Sequence, residues 1–414
     1  MTVNTCSVSK RIAWLEGLRG FAALMILLYH AQLLMTDYAF TPQPGGLFKN
    51  VSLMAVAGDR LGHPLISVFA APVWFGFQFV DVFVLVSGFS LVLSLKGKPL
   101  QIGNFLKRRF LRILSPFWTV VWLSYPVLWA IGIATNSYIP HAWHFFAAAT
   151  FPLLYDYQAD LLLQMSGPWW FVSLILSFTF IFPFLWRLLQ RWGARNLLLI
   201  SLLITLLYRA LAVYQFGGHP TYVVLETPAN WLPFLPFVSK LSTFVLGMVV
   251  AQAYLQGRGS LFWKPRVALL IGISVYALGF VSQFYLVGWV VSDLLLPIGL
   301  VLCSMAIVQA LPMFKRFESV MLWIGTHSYS YFLIHNFVVD RTINLVVHQN
   351  LQLYYLLLPG MVFGTLLLSV VVDTITPTLQ QLVLAILQDI DSALTTTPTA
   401  QTRRWNTDTG DRVL

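Results

Sequence analysis

Long apolar segments recur along almost the whole chain, and they constrain its fold more than any other feature of the sequence. Most are roughly 18 to 25 residues long, which as a helix is enough to cross about 30 Å of hydrocarbon. Because 58% of the 414 residues are hydrophobic and 10% are charged, the chain has more apolar surface than a water-soluble core could bury. We therefore predict an all-α integral membrane protein, a multi-pass bundle of about ten transmembrane helices in the cell membrane.

The apolar segments also predict where the helices and the domain boundary lie. The helices are expected near residues 12–35, 74–95, 113–135, 169–189, 197–214, 234–255, 267–287, 290–310, 320–339 and 353–375. Residues 1–375 are predicted to form one transmembrane domain. Residues 376–414 are predicted to form a cytoplasmic tail, with a short amphipathic helix over 379–394 and a disordered end. Two long connections, 36–73 and 136–168, are interpreted as interfacial or re-entrant helices over an outer-facing site.

The basic residues predict which side of the membrane each connection faces. Lys and Arg cluster in alternate connections, whereas Lys49, Arg60 and Arg341 lie in the opposite ones. Since connections rich in Lys and Arg stay in the cytoplasm, both termini are predicted to be cytoplasmic. Topology thus accounts for the net charge of +10, and no nucleic-acid partner is expected. Cys6 lies near the N-terminus and Cys303 inside an apolar segment, so we expect no disulfide framework and no metal.

Three ionisable residues lie in the first apolar segment, where a charge is costly and therefore suggests a function. Arg19 and His30 are eleven residues apart, about three helical turns, so they share one face and lie roughly 16 Å apart along the axis. This face connects the inner leaflet to the outer half of the membrane. Glu16, three residues before Arg19, is close enough to pair with it. The alternatives are that Arg19 only snorkels to the interface and that His30 only bonds a neighbouring helix.

Two further ionisable residues are predicted in the outer half of the membrane. Asp81 belongs to the second helix and His335 to the ninth. Burial of Asp81 against Lys240 is the structural alternative to a functional role. Ser328 and His335 are seven residues apart and share a face, so the ninth helix could line a polar interior.

A group of basic residues lies at the predicted inner surface. Arg109 and Arg112 stand three residues apart on one helical face, beside Lys107 and Arg108 and without a nearby acid. Membrane topology alone could account for one or two of these charges. Their combination with a polar face that leads toward outer histidines favours a phosphate-binding site instead.

Five segments resemble a known family of membrane enzymes. In chain order they are WLEGLRGFAALMILLYH, FVDVFVLVSGFSLVL, FLKRRFLRILSPFW, GPWWFVSLILSFTFIFPFL and IGTHSYSYFLIH. Together they resemble the acyltransferase type 3 family of multi-pass membrane acyltransferases, over most of the chain. Ile175 and Ser177 stand where many members have Glu or Gln.

The resemblance implies a donor and an acceptor. The protein would move an acyl group, expected to be acetyl, from cytoplasmic acetyl-CoA to a hydroxyl of an extracytoplasmic or lipid-linked glycan. This is an acyltransferase activity of the class that transfers groups other than aminoacyl groups. The implied cofactor-binding residues are Arg19, Arg109 and Arg112, whose charges can pair with phosphate oxygens. The implied partners are membrane lipid, the glycan acceptor and, as a further candidate, a separate extracytoplasmic protein that accepts the acyl group.

The resemblance also implies three catalytic residues, His30, Asp81 and His335. His30 would act as general base on the acceptor hydroxyl or carry the acyl group, while Asp81 or His335 fixes its tautomer. Two other interpretations of the same residues remain open. In one the protein is a transporter or lipid carrier without transferase chemistry, and in the other it is a scaffold whose polar residues only join helices.

Overall fold

A computed structural model describes residues 13–37, 39–60, 74–95, 97–136, 139, 167–219, 232–310 and 316–395. Its helices, numbered along the chain, are α1 (Ala13–Met35), α2 (Leu47–Arg60), α3 (Phe79–Leu95), α4 (Ile102–Thr135), α5 (Trp170–Tyr214), α6 (Leu241–Leu255), α7 (Pro265–Ser282), α8 (Ser292–Ala310), α9 (Glu318–Thr342) and α10 (Leu351–Thr395). These ranges contain no β-strand, so the all-α prediction is confirmed for the described part of the chain. Each predicted apolar segment falls on one of these helices.

Seven helices of the described residues are long and apolar enough to cross a membrane. They are α1, α4, α5, α6 with the turn before it, α7, α8 and most of α10. Helix α3 is apolar but has 17 residues, and α9 is made less apolar by its Thr, Ser and His side chains. The protein is therefore a helical membrane protein.

Helix α5 contains two of the predicted segments. Its 45 residues would span roughly 68 Å as a straight helix, about twice the thickness of the hydrocarbon. Gly193 interrupts it, with φ of 78° and ψ of 166°, a conformation that glycine adopts without steric cost. The predicted division between residues 189 and 197 is thus a break at Gly193.

Helix α10 continues well past the predicted end of the last transmembrane segment. The sequence predicted an end at residue 375 and a separate amphipathic helix from 379, but α10 is continuous from Leu351 to Thr395. Pro377 lies inside this helix and does not end it. The predicted disordered end of the tail lies outside the described residues.

Other helix ends differ from the predictions for local reasons. Helix α4 begins at Ile102 rather than near 113, so its first turns carry the basic residues. Helix α6 begins at Leu241 rather than near 234, because the chain first forms the short 3-10 turns Leu232–Phe234 and Phe237–Lys240. In the connection 36–73 the structure describes α2 as a helix, whereas nearly all of 136–168 lies outside the described residues.

Helix α10 has an exposed apolar face and a buried polar face. Leu356, Phe363 and Leu367 are exposed on one face, while Thr365 and Ser369 are completely buried on the other. A helix that turns apolar residues outward and small polar residues inward is suited to a lipid solvent.

Glycines allow two helix pairs to pack at very short distances. Gly17 and Gly20 of α1 lie against Met321 and Ile324 of α9, and Gly325 of α9 lies against the backbone of Glu16. In the membrane, small residues promote helix association by allowing backbones to approach. Residue numbers rise together on both helices, so α1 and α9 run parallel.

The crossing of α3 and α6 is closer still. A side chain at Gly88 would collide with the carbonyl oxygen of Phe244, and one at Gly247 with that of Leu85. Because backbone cannot yield as a side chain can, we expect Gly88→Ala to destabilise the protein by about 1–3 kcal/mol. Thermal unfolding in detergent measures this loss.

The matched control is Gly364→Ala on α10, where an added Cβ meets nothing within 4 Å. Alanine also favours a helix over glycine, so this variant should be as stable as the wild type or slightly more so. Equal melting temperatures for Gly88→Ala and Gly364→Ala would contradict the tight crossing.

Candidate active site

A cavity of about 620 Å³ is enclosed by α1, α3, α4, α5, α9 and α10. The charged residues that line it are four arginines and two acids: Arg19, Arg108, Arg109, Arg112, Glu16 and Asp373. All three arginines predicted to bind the cofactor therefore face one space. The excess of positive charge makes this cavity suitable for an anion.

Among the four arginines of the cavity, Arg109 is the most deeply buried. Its Nη2 donates to Ser87 Oγ of α3 at 3.3 Å, while its Nε is buried without a hydrogen-bond partner among the described residues. Its charge is repelled by those of Arg19 and Arg112. Arg19 Nη1 donates to Glu16 Oε2 at 2.9 Å, the pairing that their spacing predicted. A bound anion would satisfy Arg109 and relieve the repulsion.

Asp373 of α10 is a residue of this cavity that the sequence analysis missed. It accepts a hydrogen bond from Ser330 Oγ of α9, and its Oδ2 lies 2.5 Å from His327 Nδ1. The signal was present, since Asp373 is an acid inside the last apolar segment and such residues are rarely without function. Asp373 gives the cavity a hydrogen-bond acceptor opposite its arginines.

The two predicted catalytic histidines contact each other. His335 Nε2 lies 3.2 Å from His30 Nδ1, although 305 residues separate them in the sequence. His335 is completely buried, and His30 is partly buried. The parallel packing of α1 and α9 brings the two rings to the same depth.

Backbone carbonyls determine the tautomers of these histidines. His335 Nδ1 lies 2.6 Å from Phe332 O, and His30 Nδ1 lies 2.8 Å from Ile26 O. Because a carbonyl oxygen can only accept, each Nδ1 carries the proton. The one proton on His30 Nδ1 is then shared between Ile26 O and His335 Nε2, and His30 Nε2 is left with its lone pair. This nitrogen is placed to act as a base or a nucleophile.

Three phenylalanines line the cavity, and one of them contacts the histidine pair. Phe83, Phe171 and Phe332 line the cavity, and their ring centroids lie 5.1 to 5.9 Å apart. Phe332 also packs on the His335 ring at 5.5 Å. Among the described residues that line the cavity, neither histidine is included. The polar face predicted to run from Arg19 to His30 is thus interrupted by aromatic rings.

Asp81 lies in a different cluster from the histidines. Lys240 Nζ donates to Asp81 Oδ1 at 2.7 Å and lies 3.4 Å from Asp293 Oδ2. The structure therefore contains the burial against Lys240 that the sequence analysis named as the alternative. The contacts of His30 Nδ1 are with Ile26 O and His335 Nε2.

The same cluster includes a completely buried arginine that the sequence analysis did not identify. Arg209 Nη1 donates to Asp293 Oδ2 at 3.1 Å, and other guanidinium nitrogens donate to the carbonyl oxygens of Trp289 and Val290. Two acids and two bases thus balance each other inside the helix bundle. We name the group Asp81, Arg209, Lys240 and Asp293 the buried charge cluster, and its contacts join α3, α5 and α8 to the start of α6.

Comparison with known families places these features in context. Residues 12–374, most of the chain, match the model of a family described as an acyltransferase domain. This range contains every residue predicted for the site. Among curated proteins and solved structures, none gives a significant match. The chain therefore belongs to the acyltransferase type 3 family of membrane proteins.

Proposed function

We propose that the protein is a membrane O-acyltransferase that moves an acyl group, acetyl by preference, from cytoplasmic acyl-CoA to a hydroxyl of an extracytoplasmic or lipid-linked glycan. The observation that carries the proposal is the position of an arginine-lined cavity next to a pair of contacting histidines. Arginines suit the phosphates of the donor, and an imidazole suits acyl transfer. Membership of an acyltransferase family supports the reaction class.

Several features of the cavity fit acyl-CoA as the donor. Within the part of the chain that the structure describes, Arg109 Nε is buried without a hydrogen-bond partner, so a phosphate oxygen could accept from it. Arg19 and Arg112 would supply further charge, as guanidinium groups pair well with phosphate. A volume of about 620 Å³ is in the usual range for sites that hold small molecules. The proposal includes no metal.

The proposed topology has ten membrane crossings. Counting α3, α9 and both parts of α5 with the other long helices gives this number. Both termini then lie on the side of the arginine-rich connections, which the positive-inside rule assigns to the cytoplasm. The cavity would take its donor from that side, in the cell membrane. The histidine pair would lie nearer the outer surface, where a glycan can reach it.

His30 is the proposed base. Its Nε2 would take the proton of the acceptor hydroxyl as the hydroxyl oxygen attacks the thioester carbonyl. The imidazolium would then return the proton to the departing thiolate of CoA. His335, by accepting from His30 Nδ1, would stabilise the imidazolium. Alternatively Nε2 attacks the thioester carbonyl and expels CoA as its thiolate. The acyl group then passes from the imidazole to the hydroxyl oxygen, whose proton goes to the thiolate, and mass spectrometry without acceptor would detect the acylated histidine.

The proposed acceptor, a glycan hydroxyl, is inferred from the family resemblance. Membrane lipid would carry a lipid-linked sugar to the site, or a separate extracytoplasmic protein would receive the acyl group. Mass spectrometry of envelope glycans from cells with and without the protein would identify the acetylated sugar. A transporter or lipid carrier would instead move its cargo without acetyl transfer.

Loss of Arg109 should weaken binding of the donor. We expect Arg109→Met to raise the Kd of CoA about 10- to 150-fold, because hydrogen bonds to charged groups contribute about 1.5–3 kcal/mol. Isothermal titration of the purified protein with CoA measures this without any turnover. The matched control is Arg195→Met, which removes an exposed arginine of α5 outside the cavity. The same Kd in Arg109→Met and wild type would rule out the cavity as the donor site.

A further inference from the structure

The arginine-lined cavity ends at three aromatic rings. Phe83 comes from α3, Phe171 from α5 and Phe332 from α9, and all three are buried. Their centroid distances of 5.1 to 5.9 Å leave the rings in mutual contact. We call these three residues the phenylalanine cluster.

The rings are held in place from outside the cavity. Trp169, two residues before Phe171, donates its indole N–H to the carbonyl oxygen of Leu333 at 2.9 Å. This bond ties the start of α5 to α9, and so sets Phe171 against Phe332. The three rings are therefore packed side chains that close one end of the cavity.

The phenylalanine cluster connects the donor cavity to the histidine pair through Phe332. Phe332 contacts the cavity and, at 5.5 Å between centroids, the ring of His335. His335 in turn contacts His30. A thioester that enters from the arginines must reach His30 past these rings, so the space that they leave limits the acyl group.

We propose that Phe83, Phe171 and Phe332 determine acyl chain length, by forming the barrier that an acyl group must pass to reach His30. This inference rests on the proposed function. Because the rings are in mutual contact, an acyl group must displace them to pass, and each added methylene would require a larger displacement. The wild type should therefore use acetyl-CoA far better than hexanoyl-CoA.

The first test compares acyl donors. We expect Phe171→Ala to raise the ratio of kcat/KM for hexanoyl-CoA to that for acetyl-CoA about 10- to 200-fold, the range over which pockets discriminate between chains. Phe171→Leu, which is less disruptive to folding, should shift the ratio in the same direction. The matched control is Phe178→Ala, a buried phenylalanine of α5 that stacks on Phe244 away from the cavity. An unchanged ratio in active Phe171→Ala and Phe171→Leu proteins overturns the proposal.

The second test needs no turnover. In a Cys6→Ala, Cys303→Ala background, single cysteines are placed by Ser94→Cys in the cavity and by His30→Cys beyond the rings. A membrane-impermeant thiol reagent is added on the side of sealed vesicles from which Ser94→Cys is labelled. We expect Phe171→Ala to speed labelling of His30→Cys and leave Ser94→Cys unchanged.

The labelling result separates failure of this inference from failure of the proposed function. Faster labelling of His30→Cys, together with no acyl transfer by the wild-type protein, would support the barrier and refute the acyltransferase. Equal labelling of His30→Cys with and without Phe171→Ala would overturn the barrier, whatever the activity.

Discussion

Replacement of His30 by alanine should lower the rate of acyl transfer by about a hundredfold to ten thousandfold, the usual contribution of a general base. His30 Nε2 is the nitrogen left with a lone pair once both Nδ1 atoms donate their protons. Alanine removes this lone pair and leaves no other group in its position. Initial rates with acetyl-CoA and a glycan acceptor measure the effect, with CoA binding as the check that the donor site is intact.

The control for His30→Ala removes a histidine that has no part in the site. His348→Asn is suitable because His348 is exposed and is not among the residues that line the cavity. It should keep full activity. His335→Gln, which retains an acceptor for His30 Nδ1, should keep more activity than His335→Ala. Normal turnover in a folded His30→Ala protein would exclude His30 from the chemistry.

Asp81→Asn should destabilise the protein by about 3–5 kcal/mol, the usual cost of leaving one charge of a buried pair without its partner. Asp81 and Lys240 are both buried, and their 2.7 Å contact connects α3 to the start of α6. Without Asp81, the buried charge cluster would hold two bases against one acid. Thermal unfolding in detergent measures the loss.

A double variant tests whether charge balance is the cause. Lys240→Met together with Asp81→Asn leaves Arg209 and Asp293 as a balanced pair at 3.1 Å. The double variant should therefore regain much of the stability that Asp81→Asn loses. If Asp81→Asn instead lowered activity and left stability unchanged, Asp81 would belong to the catalytic site, as the family resemblance implied.

Hydrophobic patterns predicted the helices well because each apolar segment is a property of a local stretch of chain. The same patterns placed Arg19 and His30 on one face, since three helical turns separate them. They could not show that His335 would meet His30, because helical periodicity gives depth and face but not the neighbouring helix. The glycines that let α1 approach α9 determine that contact, and their role appears once the helices are packed.

Residues far apart in sequence account for most of what prediction missed. Arg209 and Asp293 lie 84 positions apart and pair where α5 meets α8. Phe171 and Phe332 look like ordinary core residues in the sequence, and the packing of α5 on α9 gives them a position between two polar sites. Helix ends were missed where a short 3-10 turn precedes the α-helix, as before α6.

The glycine contacts between α1 and α9 also have a mechanical consequence. One rigid pair of helices carries Arg19 at one end, the two histidines at the other and Phe332 between them. Gly20 packs directly against Ile324, which opposes sliding of one helix past the other. We therefore expect the distance between the phosphate site and the imidazole to stay constant. Any passage for the acyl group must then come from the partners that flank this pair, Phe83 and Phe171.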